Sequence, residues 1–162
     1  MKVLLVVLSL FVLVVVLVVL IGASLPKRHE ASRSTLVSAP SADVYRALTD
    51  FASAPKWRPD VKRVELLDAT HFREHGEHGA VTYEIKQQTP NELLITEIAD
   101  RDLGYSGSWT YALVPEGNAT RLTITERGEV SNVIFRFMSR FVFGHTATLD
   151  KYLAALSARF TT

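Results

Sequence analysis

The sequence contains no cysteine among its 162 residues. This absence excludes disulfide bonds, catalysis by a thiolate and metal sites built on thiolate ligands. An excess of charge of one sign is also lacking, because 18 basic residues stand against 17 acidic ones. Binding to nucleic acid needs a basic surface that neutralises phosphates, so this balance gives no support for a nucleic-acid partner.

Two motifs that would mark an enzyme are missing as well. The sequence has no glycine-rich loop that could cradle phosphates, and no Gly-x-Ser-x-Gly segment that places a serine nucleophile on a sharp turn. The chain after residue 25 also lacks internal repeats and low-complexity segments. The sequence therefore gives no reason to expect a cofactor.

The longest apolar run covers residues 3–21, where Ser9 is the one polar residue. As a helix this run spans roughly 28 Å, close to the thickness of the hydrocarbon core of a bilayer. It favours an uncleaved membrane anchor, with a cleaved secretory signal as the alternative. Lys27, Arg28 and Arg33 follow the run and favour a cytoplasmic domain. Lys2 and the amino terminus oppose that count, so the side of the membrane stays open.

Apolar residues near the C-terminus recur in steps of three and four. This spacing predicts one amphipathic helix over residues 131–160, about 45 Å long, with Ser131 as its N-cap and a kink at Gly144. His145 shares the apolar face, where it is expected to face the sheet rather than to act as a catalyst. The residues of this face are Ile134, Met138, Phe141, Leu149, Tyr152, Leu156 and Phe160.

The segment between these two helices predicts mostly β-strands. Two short helical pieces, near Ser41 and around Trp57, separate the first two strands, and residues 71–79 are predicted as a polar turn. Short strands joined by tight turns predict an antiparallel meander covered by the C-terminal helix, which is an α+β fold. The predicted strands are residues 31–37, 61–67, 80–88, 92–99, 108–114 and 120–126.

Several local sequences occur in this order: residues 39–45 (APSADVY), 48–50 (LTD), 57–59 (WRP), 107–111 (GSWTY) and 123–126 (TITE). Together with the order of elements, they resemble the START-like (SRPBCC) superfamily, in particular its polyketide cyclase/dehydrase and lipid-transport branch, over roughly residues 30–160. The resemblance implies a helix-grip fold, in which a curved antiparallel sheet wraps around a long C-terminal helix. Residues 26–162 would form this domain, and residues 1–25 would be an added transmembrane anchor or signal.

The resemblance also implies a cavity between the sheet and the helix. Members of the superfamily bind lipids, sterols, quinones, polyketides or plant hormones, and a few are cyclases, but they share no catalytic motif. Aromatic side chains could line such a cavity with apolar surface and a few hydroxyl or indole N–H groups, or they could simply fill a solid core. The candidate ligand-binding residues of this kind are Trp57, Tyr83, Trp109, Tyr111, Phe137 and Phe141.

Glu126 is a further candidate for the cavity, because it shares the strand face of Leu122 and Ile124. An inward carboxylate could accept a hydrogen bond from a ligand or act as a weak catalytic candidate for acid–base chemistry. The alternative is a carboxylate at the end of a strand that pairs with Arg136 or Arg140, or that faces water.

Histidines and glutamates cluster between residues 71 and 78. A metal site needs three or four donors that converge on one point, whereas the donors here are irregularly spaced in a predicted turn. We therefore expect a solvated segment and no metal at His71, Glu74, His75, Glu77 and His78.

These observations favour a single-pass membrane protein that contacts the bilayer through residues 3–21. Its domain would bind a hydrophobic small molecule, such as a lipid, a quinone or a polyketide-like compound, without catalysis. One alternative is a cyclase/dehydrase-type enzyme that uses a cavity carboxylate. Another is a protein-interaction module whose cavity is closed.

Overall fold

The computed structural model describes residues 2–77, 79–138, 140–141 and 146–161. It begins with helix α1 (Lys2–Ser24), and none of the apolar stretch of this helix is buried inside the protein. At ~1.5 Å per residue the helix is about 34 Å long, which is enough to cross a bilayer core. A core helix of a soluble domain would be mostly buried, so α1 is either a candidate membrane span or a signal segment.

Seven strands form one curved antiparallel sheet in the order β1-β7-β6-β5-β4-β3-β2. From β2 to β7 each strand pairs with the next one in sequence, and Gly117, with φ at 60°, makes the tight turn between β6 and β7. The predicted α+β helix-grip fold is therefore confirmed. The strands are β1 (Arg28–Val37), β2 (Val61–Leu66), β3 (His71–Gly76), β4 (Gly79–Thr89), β5 (Leu93–Ile98), β6 (Tyr105–Glu116) and β7 (Ala119–Val130).

The core lies between the inner face of this sheet and two helices, α2 (Ser41–Thr49) and α4 (Ala147–Ala158). A 3-10 helix, Phe51–Lys56, follows α2 and leads into the edge strand β2. The apolar residues of α4 are spaced by three and four, so they share one face and pack onto the sheet. The most deeply buried apolar side chains are Val37, Val44, Leu94, Leu122, Ile124, Leu149 and Leu156.

The single helix predicted over residues 131–160 is wrong in its extent. The described residues place α3 (Val133–Met138) and α4 in separate helices, and the predicted kink at Gly144 and the predicted orientation of His145 lie outside those residues. Asn132 caps α3 instead of Ser131, since its Oδ1 accepts from the backbone N–H groups of residues 134 and 135 at 2.9 and 3.1 Å.

The apolar face of α3 also has a different neighbour from the predicted one. This helix packs against α1 rather than against the sheet, because the Arg136 guanidinium donates to the carbonyl of Leu25 at 2.8 Å. Ile134 and Phe141 remain 50% and 59% exposed as a result. The predicted core face therefore holds only for its α4 half.

The predicted polar turn over residues 71–79 is also wrong, because His71–Gly76 forms strand β3 between β2 and β4. Phe72 on this strand is buried, and Glu74 lies on the same face, as a period of two requires. The segment contains mostly charged and polar residues, so its sequence does not show a clear alternation of apolar and polar positions. It brings Glu74 into the interior of the protein.

Candidate functional site

A cavity of about 90 Å³ lies between the inner face of the sheet and α4. The exposed residues Asp50 and Thr148 lie at its edge, so it reaches solvent between the end of α2 and the start of α4. Pockets for drug-sized ligands usually measure roughly 300–1,000 Å³, so this cavity is small. Its lining is mostly apolar and aromatic, with one buried ion pair.

The ion pair joins Arg58, just after the 3-10 helix, to Glu74 on β3. Arg58 Nη1 donates to Glu74 Oε1 at 2.7 Å, and both side chains are about 85% buried. The opposite edge of the guanidinium donates to the exposed carboxylate of Asp60, at 2.7 and 3.4 Å. Arg58 thus bridges the buried carboxylate of Glu74 and the exposed carboxylate of Asp60. These two contacts fix the guanidinium group of Arg58 at the cavity wall.

Burial acts on both members of this pair. It raises the pKa of Glu74, and the Arg58 guanidinium offsets part of that rise. Burial lowers the pKa of Arg58, but the carboxylates of Glu74 and Asp60 outweigh this effect and the pKa is raised, so the guanidinium stays charged. The cavity wall therefore carries a permanent cation beside a carboxyl group that is easier to protonate than in water.

Three tyrosines surround the ion pair. The Arg58 guanidinium lies 5.1 Å from the centre of the Tyr152 ring, and that ring contacts Tyr111 at 5.7 Å between centroids. Burial raises the pKa of Tyr111 to about 12 and also raises the pKa of Tyr83 and Tyr152. All three hydroxyl groups therefore keep their protons at neutral pH, and the Tyr152 hydroxyl is hydrogen-bonded to that of Tyr111.

The two tryptophans of the chain both line the cavity. Trp109 is held by a hydrogen bond from its Nε1 to Glu126 Oε2 at 3.1 Å, and its ring lies close to Gly107, where a Cβ would be 3.1 Å from it. The Nε1 of Trp57 is buried and has no hydrogen-bond partner within the described residues. A buried donor without a partner costs free energy that a bound acceptor atom would recover.

Four of the seven residues that the sequence predicts as ligand-binding meet at this cavity, namely Trp57, Tyr83, Trp109 and Tyr111. Their role in binding remains a prediction. The other three do not line it. Glu126 accepts a hydrogen bond from Trp109, and its Oε1 lies 3.4 Å from His29 Nε2. The Phe137 and Phe141 rings contact each other in a tilted arrangement, with 5.0 Å between centroids, and Phe137 lies beside α1.

Glu126 lies outside the lining because Gly107 and Gly128 pair directly across β6 and β7. With no side chains at these two positions, the Trp109 and His29 rings cover the inner sheet surface around the carboxylate. The Glu126 carboxylate therefore does not reach the cavity. It fixes the orientation of Trp109 by accepting a hydrogen bond from its Nε1. The candidate acid–base group of the cavity is Glu74.

The histidines near Glu74 point away from the cavity. His71 Nδ1 lies 3.0 Å from Asp68, and His75 Nε2 lies 3.3 Å from Glu65, both at the outer surface. Within the described ranges, no three potential metal ligands converge on one point. His78 lies outside these ranges.

Sequence reasoning missed Arg58, Glu74 and Tyr152 as cavity residues. The signal for Glu74 is the alternation from Phe72 to Glu74, in a segment whose many charged residues otherwise predict a turn. The sequence contains no comparable signal for Arg58 and Tyr152. They are 94 residues apart in the sequence, and their contact joins the segment after the 3-10 helix to α4.

Comparison with solved structures supports the fold. The chain is similar to a START superfamily protein from Mycobacterium smegmatis, with 20% identity and a TM-score of 0.68 over 82% of this chain and 97% of that one. It is also similar to norcoclaurine synthase from Thalictrum flavum, with 13% identity and a TM-score of 0.64 over 82% and 86% of the two chains. At these identities the similarity shows the fold alone.

A third similar structure is the di-domain ARO/CYC StfQ from the steffimycin biosynthetic pathway, with 14% identity and a TM-score of 0.66. The match covers 82% of this chain and 50% of StfQ. No curated protein matches the sequence. The profile of one sequence family, described as polyketide cyclase/dehydrase and lipid transport, matches residues 28–160. The chain therefore belongs to the polyketide cyclase/dehydrase and lipid transport family.

Proposed function

We propose that the domain binds a ring-sized molecule, or the ring-shaped end of a longer apolar molecule, that carries a carbonyl or hydroxyl oxygen. The observation that carries this proposal is the Nε1 of Trp57, which has no partner among the described residues, in a cavity that also contains three protonated tyrosine hydroxyls and Arg58. Apolar walls would hold the ring by removing it from water, at ~25 cal/mol per Å². The donors would fix the position of its oxygen.

The volume of the cavity limits the ligand. At about 90 Å³ the cavity is smaller than the ~150 Å³ cavity that accommodates benzene in an engineered protein. A whole lipid does not fit this conformation. A ring could enter with a small displacement of the α4 side, while a longer tail would leave through the opening between Asp50 and Thr148.

Intrinsic fluorescence tests the proposal directly, because both tryptophans line the cavity. We expect cyclohexanone to change the emission of the detergent-solubilised full chain in a saturable way, and to do so at lower concentration than methylcyclohexane, which lacks the oxygen. Trp57→Phe should remove this preference while Trp109 still reports binding. Tyr105→Phe, a change of an aromatic residue outside the cavity, is the matched control.

Equal responses to the two probes, or a preference that survives Trp57→Phe, would contradict the assignment of the oxygen site. Absence of any saturable response would contradict the binding function itself.

A cyclase-type enzyme is the second candidate, and the burial of Glu74 beside the donors favours it. A carboxylate here could remove a proton next to a ligand carbonyl, while Trp57 or a tyrosine donates to the oxygen. Such an enzyme would accelerate exchange of the α-hydrogens of cyclohexanone in D₂O, and Glu74→Gln would abolish the acceleration. Exchange no faster than in buffer would contradict the enzyme candidate, and the proposed binding function would not be affected.

We further propose that residues 1–25 anchor residues 26–162 to a membrane. The length and hydropathy of α1, and the exposure of its apolar stretch, support this function. A cleaved signal would make the mature chain begin after residue 24, so the intact mass of the protein recovered from membranes separates the two cases. We expect the mass of the full chain, in a fraction that resists alkaline extraction.

A further inference from the structure

A second cavity, of about 420 Å³, lies at the foot of α1, where the chain enters β1 and where α3 packs alongside. It is separate from the cavity under α4, because the two share no lining residue in the part of the chain that the structure describes. Its lining residues are Leu25, Pro26, Lys27, Arg28, His29, Glu30, Val130, Arg136 and Arg140.

Arg136 is the feature that sets this cavity apart. The residue is only 9% exposed, and its guanidinium donates to two backbone carbonyls, of Leu25 at 2.8 Å and of Ser131 at 3.5 Å. Among the residues that the structure describes, its buried Nε has no hydrogen-bond partner and no carboxylate lies within ion-pair distance. A buried cation without a counter-charge is costly, which points to an anion that the described residues do not supply.

The rest of the cavity reinforces the positive charge. Its described lining contains Lys27, Arg28 and Arg140 and one carboxylate, that of Glu30. That carboxylate accepts a hydrogen bond from Arg127 Nε at 2.8 Å, so it is already neutralised. Arg28 pairs with Glu129 but stays 86% exposed in its side chain, and it can reorient towards a ligand at small cost.

The surroundings of the cavity indicate the source of the anion. Ile134 and Phe135 on α3 are 50% and 61% exposed, and Phe141 beyond them is 59% exposed. The other side of α3 is fixed to α1, since Gly22 lies so close to the Val133 carbonyl that a Cβ would overlap it. If α1 crosses a bilayer, these apolar side chains lie at its surface, where lipid headgroups are the available anions.

We propose that this basic cavity binds the phosphate of an anionic phospholipid, with Arg136 as the inner partner and Lys27, Arg28 and Arg140 around the rim. The site rests on the membrane anchoring proposed above and is independent of the ligand under α4. It would hold the domain in one orientation on the membrane. The exposed face of α3 would insert among the neighbouring acyl chains.

The test uses the full chain in nanodiscs made from equal amounts of phosphatidylglycerol and phosphatidylcholine, released into the gas phase for native mass spectrometry. We expect the retained lipid to be mainly phosphatidylglycerol. Each basic residue near an anionic lipid surface is worth about fivefold in binding. Arg28→Gln with Arg140→Gln should therefore lower the ratio of retained phosphatidylglycerol to phosphatidylcholine by about 25-fold. Lys62→Gln with Arg63→Gln, on β2, is the matched control and should leave the ratio unchanged.

Equal retention of the two lipids, or a ratio that the double substitution does not alter, would overturn the site. Inorganic phosphate added to the detergent-solubilised chain separates a soluble anion from a lipid. If phosphate alone raises the melting temperature as much as phosphatidylglycerol does, the lipid assignment is wrong. Alkaline extraction distinguishes the two proposals: a chain that leaves the membrane contradicts both, whereas a chain that stays without a lipid preference contradicts this one alone.

Discussion

At the scale of single residues, the Arg58–Glu74 pair explains why a small apolar cavity keeps a polar wall. Each charge is acceptable in the interior because the other lies 2.7 Å away and Asp60 accepts from the remaining donors. The pair also fixes the guanidinium against Tyr152, so the donors of the cavity are ordered before any ligand arrives. The cost of breaking the pair should be correspondingly high.

Glu74→Leu is expected to lower the free energy of unfolding by roughly 3 kcal/mol, because it leaves the buried Arg58 without its inner counter-charge. Arg58→Met combined with Glu74→Leu should recover most of that loss. The matched control is Glu30→Leu, which breaks an exposed pair with Arg127 and should cost less than ~1 kcal/mol. Denaturant unfolding in micelles, followed by tryptophan fluorescence, measures all three. A double variant no more stable than the single one would contradict the account.

The buried tyrosines make a prediction about alkaline pH. The pKa of Tyr111 is raised to about 12, so its neutral hydroxyl contributes stability that is present below the ordinary value near 10 and is lost as the pH rises through 12. Tyr83 and Tyr152 act in the same direction. Ultraviolet titration should therefore show three of the five tyrosines ionising only together with unfolding. Reversible ionisation of all five in the folded chain below pH 11 would show that the cavity is open to water.

At the scale of elements, sequence reasoning predicted what depends on alternation along a strand. Tyr83, Trp109 and Tyr111 share the inner face because a period of two leaves no other choice once the apolar residues face the core. Glu126 shares that parity but has a different environment, since two facing glycines let the Trp109 and His29 rings cover the surface around it. Alternation predicts the face of a residue and says nothing about what covers it.

Helix α3 shows a second limit of the same kind. An apolar helix face can pack on a sheet, on another helix or in a bilayer, and the spacing of Ile134 and Phe141 is compatible with each. A tertiary contact determines which of these the α3 face packs against. The Arg136 guanidinium donates to the carbonyl of Leu25, which holds α3 against the end of α1. Among the described residues, α3 therefore packs against α1, whereas α4 packs against the sheet.

Gly22 should be essential to this attachment. In Gly22→Val the side chain would overlap the Val133 carbonyl and push α3 away from α1. We expect faster amide hydrogen exchange in Val133–Met138, with the paired amides of β6 and β7 unchanged. Ala23→Val, at the neighbouring exposed position, is the control, and equal exchange in the two variants would contradict the packing described.

The exposed face of α3 offers a further test at this scale. A tryptophan placed by Phe135→Trp should be quenched by phospholipids brominated on their acyl chains, because this position would insert into the membrane surface. Val114→Trp, which also replaces an exposed apolar residue but lies near the opposite end of β6, should not be quenched. The quenching of the two native tryptophans, measured on the unsubstituted chain, is subtracted from the quenching of each variant. Equal quenching of the two would exclude insertion of α3.

At the scale of the whole molecule, three parts are arranged along one chain: a helix able to cross a membrane, a basic cavity at its foot and an interior cavity under α4. The sequence predicted the first part and the fold that contains the third. It could not predict the size of the interior cavity, because that volume depends on how closely Phe72, Tyr83 and Trp109 pack against one another. At about 90 Å³ the cavity does not hold a whole lipid, and the proposed ligand is therefore a ring.

The central claim is that the space between the sheet and α4 is occupied by a small oxygen-bearing molecule. Native mass spectrometry of the full chain, extracted from the membranes of expressing cells, tests this most directly. Ala47 is buried at the cavity wall, so Ala47→Leu fills the space, whereas Ala154→Leu adds the same atoms at an exposed position of α4. The account predicts one small adduct on the native chain and on Ala154→Leu, and none on Ala47→Leu. A bare native chain, or an adduct that Ala47→Leu leaves in place, would contradict it.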